Sequence, residues 1–281
     1  MLKGEVASAT IMFEKAALRN PAAKASLQWL ADSKEGFKLP QTASGFLSVI
    51  IIFFLLSCHE FAHGWMASQR GDDTARNEGR LTLNPLAHID LFGSVILPGI
   101  LIMRGTGFVF GWAKPVPVNP ENFSDKTQDH MAVAFAGPGI NLVIGLICAI
   151  SILSLAFVIR LLFPQALAVG LGSPAAPIYL FGVPGSAILG PLVLVLKTMM
   201  YTSFALGIFN LIPVPPLDGS WIFSGLLPGW AKKLFEALRP LGFILFLVVI
   251  MTPILDLFIL VGVGFWLYAI LIFLGFMGFP L

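Results

Sequence analysis

The sequence predicts an all-α polytopic membrane protein with about six membrane segments, including one re-entrant segment and a short membrane-associated β-hairpin. Hydrophobic residues make up 57% of the 281-residue chain, and its mean hydropathy is +0.88. Charged residues make up only 11%, whereas about 25% are charged in an average soluble domain. Several apolar runs are long enough to cross a membrane, and prolines or polar residues interrupt the others.

The composition divides the chain into three parts. Residues 1–42 mix Ala, Lys, Glu and Leu with a loose helical period, which predicts an amphipathic, extramembrane or interfacial segment. Residues 43–225 hold all the candidate catalytic motifs and form the predicted membrane-embedded core. Residues 226–281 are predicted to add C-terminal membrane segments.

Three runs in the core are predicted to span the membrane: residues 45–67, 131–157 and 188–211. At about 1.5 Å per residue, each helix is long enough to cross a hydrocarbon core of about 30 Å. The run at residues 91–103 is too short to do so and contains Pro98 in its middle, so we interpret it as re-entrant.

Two further regions complete the predicted membrane part. Residues 108–118 form two short pieces with an alternating residue pattern around Gly111 and Lys114, and they contain prolines. This pattern is typical of a β-hairpin with a proline-marked edge. Residues 241–279 supply one full span and a shorter apolar piece, separated by Pro253 and Asp256.

The distribution of Lys and Arg predicts the orientation. Basic residues cluster in the loops around the predicted spans, except that only Arg160 lies between the second and third spans. The clustered residues are Arg70, Arg76, Arg80, Lys114, Lys126, Lys232, Lys233 and Arg239. These loops are therefore expected to face the cytoplasm, although this places the six Lys and Arg of residues 1–42 on the opposite side. The small net charge of +2 does not indicate nucleic-acid binding.

The motif "HEFAHGW" at the end of the first span is the main candidate for chemistry. His59 and His63 are four residues apart and share one helical face, with Glu60 beside them. This is the HExxH pattern, in which two imidazoles bind zinc and the carboxylate acts as a base. Unpaired ionisable groups in a membrane helix are costly, which argues against a chance match.

A catalytic zinc site needs a third protein ligand and an open position for water. Asp218 lies in a proline-broken segment at the same predicted membrane face as the HExxH motif, and irregular backbone at that depth requires a protein-lined cavity. His88 in "NPLAHID" is the alternative ligand. The sequence favours Asp218.

Two other polar residues lie in predicted spans. Asn141 in "AGPGIN" is expected at a depth similar to that of His59, where its amide could hold substrate or a developing oxyanion. Alternatively, Asn141 could only serve close helix packing with the neighbouring glycines. Lys197 is expected to snorkel or to be paired internally, and we assign it no role.

Together, the segments "HEFAHGW", "GRLTLNPLAHID", "GWAKPVPVN", "AGPGIN" and "NLIPVPPLDG" resemble the site-2 protease family of intramembrane zinc metalloproteases, over residues 45–225. The resemblance implies His59, His63 and Asp218 as zinc ligands, Glu60 as catalytic base and Asn141 as a substrate or oxyanion contact. It also implies that the hairpin at residues 108–118 guides an extended substrate.

The sequence therefore predicts an intramembrane zinc endopeptidase with one Zn²⁺ per chain. Its expected partners are membrane lipid and a single-span membrane protein, which it would cut within or near the transmembrane helix. The expected location is the plasma or inner membrane, with the active site toward the cytoplasm. A metal transporter and a catalytically silent scaffold are the alternatives; the transporter should show an internal repeat, and the scaffold has little need of Glu60.

Overall fold

A computed structural model describes residues 41–96, 100, 103, 111–162, 167–169, 179–181, 186–252, 261–265, 268 and 272. Within this part, the fold is helical apart from one short pair of strands. The seven α-helices with defined bounds are α1 (Gln41–Gln69), α2 (Thr74–Asn77), α3 (Lys126–Leu162), α4 (Ser186–Asn210), α5 (Gly219–Leu226), α6 (Gly229–Leu238) and α7 (Gly242–Met251). Shorter helical turns are Pro85–His88, Leu91–Ile96, Pro120–Asn122 and Arg239–Leu241.

Three of these helices are long and apolar enough to cross a membrane. They contain the candidate spans Leu47–Gln69, Lys126–Ile159 and Leu189–Asn210. Each overlaps one of the three spans predicted in the core, so these predictions are confirmed at the level of helix position, length and composition. These three candidate membrane helices are consistent with an integral membrane protein.

The chain divides into two compact units. In its described part, the smaller unit contains the end of α3 from Leu155, the strands β1 (Leu167–Val169) and β2 (Tyr179–Phe181), and the start of α4 up to Leu194. The strands pair antiparallel, with Ala168 opposite Leu180. This strand pair lies in the Pro- and Gly-rich loop between the second and third predicted spans, where no strand was expected.

The larger unit contains α1, most of α3 and the second part of α4, and it holds every candidate site residue. Small residues bring α3 and α4 close together. A Cβ at Gly145 would lie 2.7 Å from the Phe204 ring, and one at Gly207 would lie 3.0 Å from the Pro138 carbonyl oxygen. Such close approach permits polar contacts between helix backbones and side chains inside the bundle.

The ends of α1 and α3 meet through an ion pair. The Arg70 guanidinium lies 3.0 Å from the Asp129 carboxylate, which also accepts the Asp125 backbone N–H. Ala67, Phe123 and Val133 form a buried apolar cluster beside it. The polar end of the first predicted span therefore lies next to that of the second, which places the HExxH motif and the first turns of α3 at similar depth.

A buried carboxylate organises the loop after α1. Asp72 is fully buried and accepts hydrogen bonds from Thr74, from the Asn119 backbone N–H at 2.7 Å and from the Asn122 amide at 2.7 Å. Burial tends to raise the pKa of this carboxyl, but these hydrogen bonds outweigh that effect and lower its pKa. The contacts fix the segment that leads into α3 against the end of α1.

Hydrogen bonds from the same loop region fix the segment 111–119 at several points. The Lys114 N–H donates to the His88 carbonyl oxygen at 2.8 Å, and Arg80 donates to the Lys114 carbonyl oxygen at 2.8 Å. Neither helix nor strand is assigned within residues 111–119. The other part of the predicted hairpin, residues 108–110, lies outside the described residues, so the hairpin stays a prediction.

Other predictions also fall partly or wholly outside the described residues. The N-terminal segment 1–42 is described only from residue 41. Within the predicted re-entrant run, Leu91–Ile96 forms a π-helical turn and residues 97–99 lie outside. In the C-terminal region α7 spans 10 residues, and residues 253–260, which include Pro253 and Asp256, also lie outside.

Candidate metal centre

The HExxH motif lies in the C-terminal half of α1, within the most buried stretch of the helix, residues 57–64. His59, Glu60 and His63 are all buried, in agreement with the predicted shared face. The two histidines present the same ring atom to each other, with 3.0 Å between His59 Nε2 and His63 Nε2. Two imidazole nitrogens at this distance can share a proton in a hydrogen bond, or they can bind one metal ion together.

Asp218 reaches the histidines because the chain reverses direction after α4. The helix ends at Asn210, and Pro213, Pro215 and Pro216 cannot continue it; the Pro215–Pro216 peptide bond is cis. The reversal is tight at Gly219, where an added Cβ would overlap the Leu211 carbonyl oxygen. Only glycine fits this position, which explains the residue that follows Asp218.

The reversed segment is held by apolar packing. Ile212 and Leu217 are buried with Phe246 of α7 in one cluster. Asp218 occupies the N-cap position of α5, yet its side chain makes no capping hydrogen bond. The carboxylate points to the histidines instead of the free helix N–H groups that such a residue normally serves.

The three side chains form a compact triangle of donor atoms. Asp218 Oδ2 lies 3.1 Å from His59 Nε2 and 3.3 Å from His63 Nε2. Tetrahedral zinc with bonds of about 2.0 to 2.1 Å places its ligand atoms roughly 3.3 Å apart. Among the described residues, these three form the one group of His, Cys, Asp or Glu side chains arranged to hold a metal ion.

The electrostatics of the triangle favour an ionised aspartate. Burial disfavours the charge on Asp218, but the neighbouring His63 and His59 outweigh that effect and hold the pKa of its carboxyl well below its usual range. An ionised Asp218 would offer a metal an anionic oxygen ligand. Two imidazoles and one carboxylate match the donor set of many catalytic zinc sites, which leave a fourth position open.

Helix α3 supports both histidines from behind. His63 Nδ1 lies 2.7 Å from the Val133 carbonyl oxygen, and His59 Nδ1 lies 3.2 Å from Asn141 Nδ2. A Cβ at Gly137 would overlap His63 Nε2, so only glycine allows α3 to approach this closely. The expectation that Asn141 and His59 lie at similar depth is confirmed, while the predicted contact of Asn141 with substrate or oxyanion stays a prediction.

Glu60 faces the segment that follows the loop. Its Oε2 accepts the Val116 backbone N–H at 2.9 Å. This contact fixes one carboxylate oxygen, and Glu60 also lines the cavity in front of the histidines. Its carboxylate therefore lies in the same cavity as the three candidate metal ligands.

A cavity of about 570 Å³ opens in front of the three ligands. Its polar lining consists of the two histidines, Glu60, Asp218, Asn210 and His130; apolar side chains, among them Val116, Val118, Phe209 and Trp221, complete the wall. A volume of this size is typical of small-molecule and peptide subsites. Asn141 is fully buried behind His59 and is not part of the lining.

The rival ligand has a different environment. His88 is buried, and its Nε2 lies 2.8 Å from the Thr82 carbonyl oxygen, within its own loop. It is not part of the metal-binding group. The geometry thus favours Asp218 over His88. Lys197 is fully buried in α4 and is likewise not part of the cavity lining.

Several groups at the site were not among the predicted site residues. Asn210 is a polar residue in the last turn of a predicted span, directly before a proline-rich segment, and this position was a usable signal. His130 lies at the polar start of α3 and was also visible. The Val133 carbonyl and the Val116 N–H are backbone groups, which every sequence contains, so no residue type could have indicated them.

The model of the family described as Peptidase family M50 matches residues 47–252 of this chain. The chain belongs to peptidase family M50. This confirms the predicted membership of the site-2 protease family, since the match includes His59, His63 and Asp218.

Curated relatives agree with this assignment. The protein named "Putative zinc metalloprotease YwhC" from Bacillus subtilis (strain 168) is 33% identical over 206 residues, covering 73% of this chain and 80% of that protein. "Putative zinc metalloprotease Rip2" from Mycolicibacterium smegmatis is 28% identical over 241 residues, covering 84% and 78%. Its namesake from Mycobacterium tuberculosis (strain ATCC 25618 / H37Rv) is 29% identical over 248 residues, covering 86% and 80%. No solved structure gives a significant match.

Membership of M50 and the donor set together confirm the predicted enzyme class and cofactor. The chain is a metalloprotease of the HExxH type, its relatives are named as zinc metalloproteases, and His59, His63 and Asp218 form a metal-binding group suited to zinc. Its substrates are accordingly proteins or peptides.

Proposed function

We propose that this M50 protein is an intramembrane zinc endopeptidase, which hydrolyses a peptide bond within or near the transmembrane helix of another membrane protein. The observation that carries the proposal is the position of the metal-binding triangle. His59 and His63 lie within a candidate membrane span, and Asp218 reaches them from the segment directly after another. A peptide bond attacked there has to enter the membrane-embedded part of the protein.

In this proposal His59, His63 and Asp218 hold one zinc ion, and Glu60 is the catalytic base. When bound, zinc supplies Lewis-acid activation of a water molecule and of the scissile carbonyl group. Glu60 takes a proton from the attacking water as the new C–O bond forms. It returns this proton to the amide nitrogen as the C–N bond breaks, so the carboxylate is restored and the proton balance closes.

Cleavage at this site requires the substrate helix to unwind locally. A peptide bond within an intact helix keeps its carbonyl in the backbone hydrogen-bond ladder, so the substrate helix has to unwind before attack. The wall at residues 111–118 is neither helix nor strand, and we propose that an unwound substrate lies beside it, as it would beside the predicted hairpin. The Val116 N–H is already bonded to Glu60, so pairing would use other backbone groups of this segment.

The proposed location is the plasma or inner membrane, with the cavity toward the cytoplasmic side. The ion pair between Arg70 and Asp129 and the bond from Lys232 to Thr127 place basic residues at the same end of the bundle as the metal centre. Basic residues next to spans favour the cytoplasmic side. Cysteines introduced at Arg76 and Lys233 should react with a membrane-impermeant reagent only from the cytoplasm; labelling from the other side reverses the orientation.

The test of the enzymatic proposal uses purified full-length protein in lipid vesicles with a model single-span membrane protein. Wild-type protein should hold one zinc ion and cut this substrate within its membrane segment. Glu60→Gln keeps the shape of the side chain but removes the base, so cleavage should fall by about 100-fold to 10,000-fold while zinc content stays the same.

The alternatives give different results in the same experiment. A zinc-loaded wild-type protein that cuts no membrane substrate, with Glu60→Gln indistinguishable from it, would identify a silent scaffold. Zinc flux into the vesicles that depends on His59 would identify a transporter. Cleavage by Glu60→Gln at the wild-type rate would remove Glu60 from the role of base.

A further inference from the structure

Asn141 makes a contact that the proposed reaction does not use. It is fully buried in α3, and its Nδ2 lies 3.2 Å from His59 Nδ1. Its Oδ1 is buried and has no hydrogen-bond partner among the residues that the structure describes. The side chain that its amide contacts in the described part of the chain is thus a proposed zinc ligand.

The protonation of His59 decides which end of this amide can face it. His59 Nε2 is the atom directed at His63 and Asp218, so it is the nitrogen available to the metal. A neutral imidazole that binds a metal through Nε2 carries its proton on Nδ1. Nδ1–H is a donor, and a donor cannot pair with the NH₂ end of Asn141.

Turning the carboxamide by 180° removes this conflict within nearly the same volume, because oxygen and NH₂ are similar in size. Asn141 Oδ1 then accepts from His59 Nδ1–H. In its present position Oδ1 has no hydrogen-bond partner in the described part of the chain. Turning the amide therefore breaks no hydrogen bond at that end, and the contact with His59 favours the turned orientation.

We propose that Asn141 is a positioning residue of the zinc site, whose Oδ1 accepts a hydrogen bond from His59 Nδ1–H. The bond fixes the tautomer and the ring orientation that leave Nε2 for the metal. This inference rests on the proposed assignment of His59 as a zinc ligand, but not on the nature of the substrate.

The contrast with His63 strengthens the assignment. The backbone carbonyl of Val133 serves His63 Nδ1 in the same way, at 2.7 Å, so each histidine has an outer partner on α3. Outer hydrogen bonds of this kind orient metal-bound imidazoles and raise their basicity. The partner of His59 is the Asn141 side chain, whereas the partner of His63 is a backbone carbonyl. A substitution can therefore remove the hydrogen-bond partner of His59 but not that of His63.

The surroundings of Asn141 favour this role over direct contact with the reaction. The residue is not part of the cavity lining, and its amide meets His59 at Nδ1, the ring nitrogen not directed at the other two ligands. Ser203 of α4 donates to the Asn141 backbone carbonyl at 2.7 Å, so this contact does not involve the Asn141 amide. An oxyanion in the cavity would be separated from the amide by the His59 ring.

The test compares two substitutions of Asn141 in the full-length protein. Asn141→Asp keeps an oxygen acceptor and removes the N–H donors, whereas Asn141→Leu removes both at similar volume. Zinc affinity is measured by competition with a chelator, and the ligand field by the visible spectrum of the Co²⁺-loaded protein. Asn141→Leu should weaken zinc binding by about 10- to 100-fold and alter the Co²⁺ spectrum.

The aspartate variant separates the acceptor role from the donor role. Asn141→Asp should bind zinc at least as tightly as the wild type and keep its Co²⁺ spectrum, because a carboxylate accepts from Nδ1–H. The matched control Ser203→Ala removes the bond to the Asn141 backbone but leaves its amide intact, and it should leave zinc affinity unchanged.

Three outcomes would overturn the inference. Normal zinc affinity in both Asn141 variants with lost cleavage would show that the amide donates to substrate or oxyanion. Normal affinity and normal cleavage in both would leave Asn141 only a packing role. Zinc binding weakened tenfold or more in Asn141→Asp would also contradict it, and this result decides the question even if Asn141→Leu does not fold.

The experiments distinguish failure of the proposed function from failure of the proposed role of Asn141. A wild-type protein that binds zinc but cuts no membrane substrate would refute the endopeptidase, while the affinities of the variants would still support or overturn the role of Asn141. A wild-type protein without zinc affinity would overturn both.

Discussion

Two buried regions of the larger unit each centre on an aspartate, and they differ in what surrounds it. Asp72 accepts hydrogen bonds from a hydroxyl, from a side-chain amide and from backbone N–H groups. Asp218 occupies a helix N-cap without capping and faces two imidazole nitrogens instead. A carboxylate satisfied by donors stabilises a fold, whereas one directed at other ligands forms a binding site.

The difference lies in the partners and not in the residue type. Donors converge on Asp72 because the chain turns around it, and its charge is satisfied within the protein. The atoms that converge with Asp218 can all act as metal ligands, so the cluster is best satisfied by a cation. The comparison therefore predicts that changes at Asp218 affect metal binding, and changes at Asp72 affect stability.

The largest expected effect is at Asp218. Asp218→Ala removes a metal ligand, so zinc affinity should fall by more than the roughly 10- to 100-fold that loss of an outer contact costs, and cleavage should be lost with it. Metal analysis of the purified variant measures the loss of zinc, and the vesicle assay measures the loss of cleavage. His88→Ala is the matched control and should keep its zinc; the reverse result would make His88 the third ligand.

A smaller effect is expected at Gly137, where α3 meets the metal centre. In Gly137→Ala the new methyl group would overlap His63 Nε2 and lie 2.7 Å from His59 Cε1, so the rings or the helix have to move. We expect zinc affinity to fall by about 10- to 100-fold, as for other disturbances of ligand orientation. Chelator competition measures it.

Gly139→Ala is the control for this substitution. Its Cβ would lie 3.2 Å from the exposed ring of Phe135, which has room to turn. It changes the same helix by the same methyl group, and its zinc affinity should match the wild type. Equal losses in both variants would mean that general damage to α3, and not contact with the histidines, explains the effect.

The smallest effect is expected at Asp72 and concerns stability alone. Asp72→Ala leaves buried donors without a partner, which should lower the free energy of unfolding by about 1–3 kcal/mol. Denaturant unfolding in detergent measures this loss, and zinc content per folded molecule should not change. Asp73→Ala is the control, because Asp73 is exposed and pairs with Arg76 at the surface; its effect should stay within about 0.5 kcal/mol.

The same aspartate predicts the direction of a pH effect. The pKa of Asp72 is lower in the folded protein than the value of about 3.9 expected for an unfolded chain. Its stabilising contribution is therefore complete above that unfolded value and is lost as the pH falls through the folded one. Stability of Asp72→Ala should depend less on pH in this acidic range than stability of the wild type; an identical pH dependence would contradict the assignment.

Much of the site could be predicted from residue order. The four-residue spacing of His59 and His63 implies a shared helical face, because helix geometry is local. The prolines before Asp218 imply an end to the helix for the same reason. The preference for Asp218 over His88 relied on the depth at which irregular backbone is tolerated, and the structure supports it with a distance of 3.1 Å to His59.

What the sequence by itself determined is the chemistry available to this protein: its apolar spans, its HExxH face and the residue types that could complete a zinc site. Only the tertiary structure decided which partners those residues have. It placed the Val116 N–H on Glu60, the Val133 carbonyl on His63 and the Asn141 amide on His59. The physical reason is that two of these partners are backbone groups common to every residue, and all three contacts join segments that only helix packing brings together.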